Sequence, residues 1–217
     1  AVVSLNAPGF IGNRMLFGYT AQANMLLLEG ALPHQVDQAL EKFGMNMGPF
    51  RMLDLVGLDL GWRARKLSGT ESALPSKISD QLCEQDRFGQ KNGKGFYNYT
   101  EGSRAPNPAP ENEDIYKAVS AENGIERREI SDEEIIDRCI LALVNEGADI
   151  IEEGVAQRAV DLDVVYINGY GFPIWRGGPM HHVNAMGMKE VLNKLNKYHE
   201  LTKNDTFKPA NLIKKLA

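Results

Sequence analysis

Apolar residues recur at helical spacing along most of the chain. Met15, Leu16, Tyr19, Ala23, Leu26 and Leu27 fall on one stripe at i, i+3/i+4 intervals. Gly30 ends that stripe, as glycines commonly end helices. Pro33 suits the first turn of a second helix running to Gly44, and Pro49 opens a third that ends at Gly57. Residues from Ser76 to Phe88 predict another. A second long stripe carries Ile135, Ile136, Cys139, Ile140, Leu143 and Ile150. It follows Ser131-Asp132-Glu133-Glu134, a capping box in which Ser131 and Glu134 satisfy each other's orphan amides. Pro179 and Gly187 bracket a short helix, and Met188 to Tyr198 continue as one more. No alternating pattern of useful length predicts a strand. The expected fold class is all-α.

The stripes repeat. Asn13-Arg14 aligns with Asp137-Arg138, Glu29-Gly30-Ala31 with Glu153-Gly154-Val155, and Val36-Asp37 with Val160-Asp161, each pair 124 positions apart. Gly48-Pro49 then matches Gly178-Pro179, and Gly57 matches Gly187, both 130 apart. Copy two therefore carries about six extra residues, placed in the Gly169-Tyr170-Gly171-Phe172-Pro173 region. Between the copies lies Glu101-Gly102-Ser103-Arg104-Ala105-Pro106-Asn107-Pro108-Ala109-Pro110. Its three alternating prolines favour an extended connector. The expected domains are residues 1–100, a linker at 101–112, and a second, degenerate copy at 113–217.

Composition narrows the function classes. The 217 residues are 43% hydrophobic and 24% charged, with a net charge of −5. An acidic balance argues against nucleic acid as a partner. No run approaches the roughly 18 apolar residues of a membrane span. The two cysteines, Cys83 and Cys139, have no metal or redox spacing and read as buried thiols. The opening residues lack the charged and apolar regions of a signal peptide. The chain begins without Met, just ahead of a Pro-Gly turn, and is expected to be a piece cut at a domain linker.

Duplication separates structure from chemistry. Arg14 with Arg138, and Glu29 with Glu153, occur in both copies and read as structural ion pairs or caps. Asn13 does not: its counterpart is Asp137. An amide NH2 can donate to a ligand oxygen, whereas an ionised carboxylate only accepts. From position alone Asn13 is a helix cap or a ligand-facing donor. Phe88-Gly89-Gln90-Lys91-Asn92-Gly93-Lys94-Gly95-Phe96-Tyr97 also follows copy one alone. Its glycines allow a tight reversal, with Phe96 and Tyr97 tucking back as an apolar clasp. By itself Lys91 reads as a solvated loop lysine. Pro49 and Phe50, after Met45-Asn46-Met47-Gly48, suit an adaptable apolar wall or ordinary core. His181-His182 are adjacent and point about 100° apart on a helix, so no metal site is expected.

The string Asn6-Ala7-Pro8-Gly9-Phe10-Ile11-Gly12-Asn13-Arg14-Met15-Leu16 resembles the opening of the helical C-terminal domain of 3-hydroxyacyl-CoA dehydrogenases. In copy two, Gly169 to Pro173 and Arg176-Gly177-Gly178-Pro179-Met180 resemble the degenerate second helical domain of the family's multifunctional members. The resemblance covers almost the whole chain. It implies two tandem copies packed as a pseudo-two-fold pair, within an enzyme of fatty-acid β-oxidation. It implies that Asn13 holds the substrate's 3-oxygen, that Lys91 reaches bound NAD, and that the loop at Pro49 and Phe50 borders the acyl pocket. The substrate implied is an acyl-CoA thioester. The implied compartment is the cytoplasm in a bacterium or the peroxisome in a eukaryote. Single-repeat relatives form homodimers; here the second copy would replace the partner and leave a monomer.

Hydride transfer to NAD needs a Gly-x-Gly-x-x-Gly turn between strand and helix. Here Gly169-Tyr170-Gly171 is followed by Ile174, and Gly93-Lys94-Gly95 by Asn98, where the third glycine belongs. The family's His–Glu base pair has no match either. The expected partner is therefore an N-terminal nucleotide-binding domain of the same protein, with a hydratase domain in the intact enzyme. The chain alone is expected to be inactive. Alternatives are a non-catalytic duplicated helical scaffold or dimerisation module, and the helical half of another hydroxyacid dehydrogenase.

Overall fold

The 18-residue helix α1, Gly12–Glu29, forms because most of its stripe buries: Met15, Ala23, Leu26 and Leu27 are fully enclosed and Tyr19 nearly so, while Leu16 is half-buried. The computed structural model describes all 217 residues and is all-helical, with only isolated β-bridges. After α1 come α2 (Pro33–Phe43), α3 (Pro49–Val56), α4 (Asp59–Ser68), α5 (Lys77–Glu84) and α6 (Glu113–Glu122). Then follow α7 (Asp132–Glu152), α8 (Ala159–Gly169), α9 (Pro179–Met186), α10 (Met188–Thr202) and α11 (Asn211–Leu216). The pattern places α1, α2, α3, α7, α9 and α10 to within a few residues. It overextends α5, which stops before Asp86 at positive φ, and it does not single out α4, α6, α8 or α11.

The chain groups into two compact units. The first gathers Ala1–Gln22, Phe43–Asn46 and Ile136–Ala217. The second gathers Ala23–Lys42 and Met47–Ile135. Grouping in space thus follows a different line from chain order.

Within the first unit, a small residue lets helices approach closely. A Cβ on Gly147 would lie 3.0 Å from Met15 Cε, Leu162 Cδ2 and Met180 Sδ. Arg14 pairs with Glu146 and with Glu153, the latter through both terminal nitrogens. Arg138 is fully buried, with Nη2 donating to Gln22 Oε1 at 3.1 Å. Asp137 is buried too and accepts from Lys194 Nζ at 2.6 Å and Tyr198 Oη at 3.0 Å. The copy-two counterpart of Asn13 is thus a core acceptor.

Within the second unit, two buried aspartates organise the fold. Asp37 accepts from the amides of Phe50 (2.9 Å) and Arg51 (3.0 Å) and from Tyr97 Oη (2.7 Å), so it caps α3 from outside. Asp54 accepts from the amides of Phe96 (2.9 Å) and Tyr97 (3.0 Å) and from Tyr99 Oη (2.9 Å). Burial pushes the Asp37 carboxyl up to about 7 and the Asp54 carboxyl up to about 6, while these donors restrain both rises. The expected clasp is present: Phe96 and Tyr97 are buried, and the Phe96 ring sits 4.6 Å from that of Phe50. Buried Arg87 ties the reversal down through Gly95 O (2.9 Å) and Asn98 Oδ1 (2.8 Å).

The proline-rich stretch is docked rather than free. Asn107, which keeps its N–H between two prolines, exchanges both backbone hydrogen bonds with Asn98 at 2.9 Å. Asn112 is buried and donates to Gly95 O at 3.0 Å.

The local geometry also corrects the register of the repeat. Gly57 and Gly187 end α3 and α9 with φ of 99° and 98°. Asp163, not Asp161, does for α9 what Asp37 does for α3: its Oδ1 accepts from the Met180 amide at 2.7 Å. A Cβ on Gly48 would overlap Asp37, and one on Gly178 would overlap Asp163. Asp161 instead pairs with Arg158 at 2.7 Å. The match of Val36-Asp37 to Val160-Asp161 is therefore two residues off. Two of copy two's extra residues lie before α8 and four lie between α8 and α9.

Candidate functional site

Asn13 sits in the first turn of α1, and the turn before it is built to put it there. Gly9 and Phe10 both have positive φ, 78° and 49°. The Arg14 amide donates to Gly9 O at 3.3 Å and the Met15 amide to Ile11 O at 3.2 Å. These backbone acceptors serve the helix start. The Asn13 side chain is exposed, and its Oδ1 accepts from Tyr170 Oη at 2.8 Å. The oxygen a cap would turn toward helix amides is thus engaged elsewhere. Asn13 Nδ2 has no partner in the chain, so its two N–H groups face outward as donors. They lie beside the positive end of an 18-residue helix, where developing negative charge is favoured.

Two tyrosines back this arrangement. Tyr170 stacks on Tyr166 with centroids 4.8 Å apart and an interplanar angle of 23°. Tyr166 is fully buried and donates to the Gly12 carbonyl at 2.9 Å. A Cβ on Gly12 would overlap the Tyr170 ring, which explains that glycine. Sequence reasoning missed both tyrosines, because Tyr170 lies 157 positions from Asn13. The readable signal was the insertion in copy two that contains Tyr170.

The other candidates lie in the second unit. Lys91 stands in a 3-10 turn, Gln90–Asn92. Its ammonium pairs with buried Asp59 while about half its side chain stays exposed. That contact holds the Asp59 carboxyl below the usual carboxylate range, with Arg63 adding to it at 3.1 Å. Gly57 leaves room for the pair: a Cβ there would lie 3.0 Å from Lys91 Nζ. Leu55, Val56 and Leu60 on α3 and α4 are exposed. Pro49 and Phe50 are buried, and Phe50 is fully enclosed beside Phe96. Phe50 is enclosed as a core residue is.

No group of three or more His, Cys, Asp or Glu side chains is placed to hold a metal ion. His182 packs edge-on against Phe43, 5.1 Å between centroids. No helix is long and apolar enough to cross a membrane.

Comparison with known proteins adds to this geometry. The family model described as "3-hydroxyacyl-CoA dehydrogenase, C-terminal domain" matches residues 9–99 and 135–217. A peroxisomal bifunctional enzyme of Danio rerio is 45% identical over 97% of this chain, which spans 32% of that relative. The fatty acid oxidation complex subunit alpha of a Shewanella strain is 34% identical over the full chain, which spans 30% of it. The crystal structure of the dehydrogenase part of a multifunctional enzyme from C. elegans superposes with a TM-score of 0.78 at 32% identity. It covers 98% of this chain, and this chain spans 48% of it. The chain thus spans about a third of the length of the curated relatives it matches.

Proposed function

Given that the chain belongs to the 3-hydroxyacyl-CoA dehydrogenase C-terminal domain family, we propose that it is the helical part of an NAD-dependent 3-hydroxyacyl-CoA dehydrogenase in fatty-acid β-oxidation. We read it as two tandem copies, 1–100 and 113–217, joined through 101–112, within a longer, multifunctional and monomeric polypeptide. Its substrate is an acyl-CoA thioester. The compartment is the peroxisome in a eukaryote and the cytoplasm in a bacterium.

Asn13 carries the proposal. Its outward Nδ2–H groups donate to the substrate's 3-oxygen, hold it in register, and stabilise negative charge as that oxygen changes between hydroxyl and carbonyl. Because the donor is fixed before substrate arrives, little reorganisation is needed at the moment of reaction. Donation, not proton transfer, is the role, since an amide does not titrate in this range.

NAD supplies the hydride acceptor when bound. This chain has no strand-to-helix glycine turn to cradle a dinucleotide, so its residues fit an edge contact and not a whole site. That contact is Lys91, half-exposed and steered by Asp59. The exposed Leu55, Val56 and Leu60 beside it suit the docking of a nucleotide-binding domain. Pro49 and Phe50 contribute to the acyl side from the start of α3.

The test is Asn13→Ala in the complete polypeptide. We expect kcat to fall about 100- to 1,000-fold, the usual cost of one preorganised donor, with the melting temperature nearly unchanged. Wild-type kcat would favour the duplicated scaffold reading.

A further inference from the structure

The insertion in copy two holds its residues in a way the repeat alone does not require. Gly171, at φ 70°, presents its carbonyl to the Asn46 amide at 3.0 Å. Phe172 is buried and meets Phe43 edge-on at 5.9 Å. Arg176 donates from Nε to Phe43 O at 2.9 Å and lies over the Phe43 ring at 3.9 Å. Gly44, at φ 121°, lacks the Cβ that would press on Pro173. The segment that follows Tyr170 is thereby fixed, while Tyr166 stacks against its ring. A hydroxyl so held serves one acceptor, Asn13 Oδ1.

We propose that Tyr170 is a positioning residue for Asn13: its hydroxyl locks the amide so that Nδ2, not Oδ1, faces the ligand. An unrestrained Asn side chain turns about its terminal torsion, and half of its orientations present an acceptor where a donor is needed. Tyr170 removes that ambiguity. Partial burial raises its pKa above the ordinary tyrosine value, so the hydroxyl keeps its proton at neutral pH. Copy two thus supplies a part of the donor apparatus that copy one does not contain.

This rests on the Asn13 reading above, and the experiment separates the two. Tyr170→Phe keeps the ring, its stack on Tyr166 and its packing against Gly12, and removes only the hydroxyl. It is made in the complete enzyme alone and together with Asn13→Ala. For Tyr170→Phe we expect kcat to fall about three- to ten-fold, as one neutral hydrogen bond is worth. KM for the acyl-CoA should change less than two-fold, with the melting temperature unchanged. In the double variant, kcat should equal that of Asn13→Ala alone, because the hydroxyl has no other route to the reaction. Wild-type kcat in Tyr170→Phe, or a loss that multiplies with that of Asn13→Ala, overturns the positioning role and leaves the Asn13 reading standing. If Asn13→Ala keeps wild-type kcat, both fall.

Discussion

Tyr97 Oη donates to Asp37 Oδ2 at 2.7 Å across 60 positions of sequence, joining the loop after copy one's last helix to the aspartate that caps α3. Asp37 lies at about 7 in the folded chain against an ordinary 3.8. Between those values the folded chain binds a proton that the unfolded chain releases. The stability this group contributes is full below about pH 4 and is lost as pH rises through 7.

Removing the hydroxyl should sharpen that loss. Tyr97→Phe takes away a donor that favours the ionised carboxyl, so the Asp37 pKa rises further. We expect a cost of about 1–3 kcal/mol, larger at pH 8 than at pH 5. Urea unfolding of both proteins at the two pH values measures this. An equal cost at both would show that Tyr97 does not act on the Asp37 charge.

Gly12→Ala should disturb the site through packing. The new Cβ overlaps the Tyr170 ring, and overpacking of this kind costs about 1–3 kcal/mol. Thermal unfolding should show the loss, and a Tyr170→Ala background should relieve most of it. An unrelieved loss would mean that Gly12 answers to helix geometry and not to Tyr170.

Lys91→Ala probes the cofactor edge. Arg63 still faces Asp59, so stability should drop by no more than about 1 kcal/mol, as for a half-exposed pair. If Lys91 reaches the dinucleotide, the NADH dissociation constant of the complete enzyme should rise about ten-fold or more. Calorimetric titration decides it, and an unchanged constant removes Lys91 from the site.

The sequence made the long helices legible because their stripes are continuous and their ends are marked. The residues of both stripes are buried except Leu16 and Ile136, which are half-buried. Helix α4 was invisible because its apolar residues do not form a buried stripe: Leu60 and Leu67 are exposed, and Arg65 ties it to Asp80 at 3.0 Å. The repeat register slipped at Asp161 because two aspartates lie two residues apart and only their partners tell them apart. Asn13 was legible as a candidate because its counterpart is an aspartate. Tyr170 was not, because no local pattern encodes a contact across 157 positions.

The most direct measurement is kcat for Asn13→Asp in the complete enzyme. The carboxylate has the shape of the amide and still accepts from Tyr170, but it cannot donate. We expect a kcat about 100-fold lower or worse, with the melting temperature close to wild type. Near-wild-type turnover by Asn13→Asp would contradict it, since no donor would then be needed at this position.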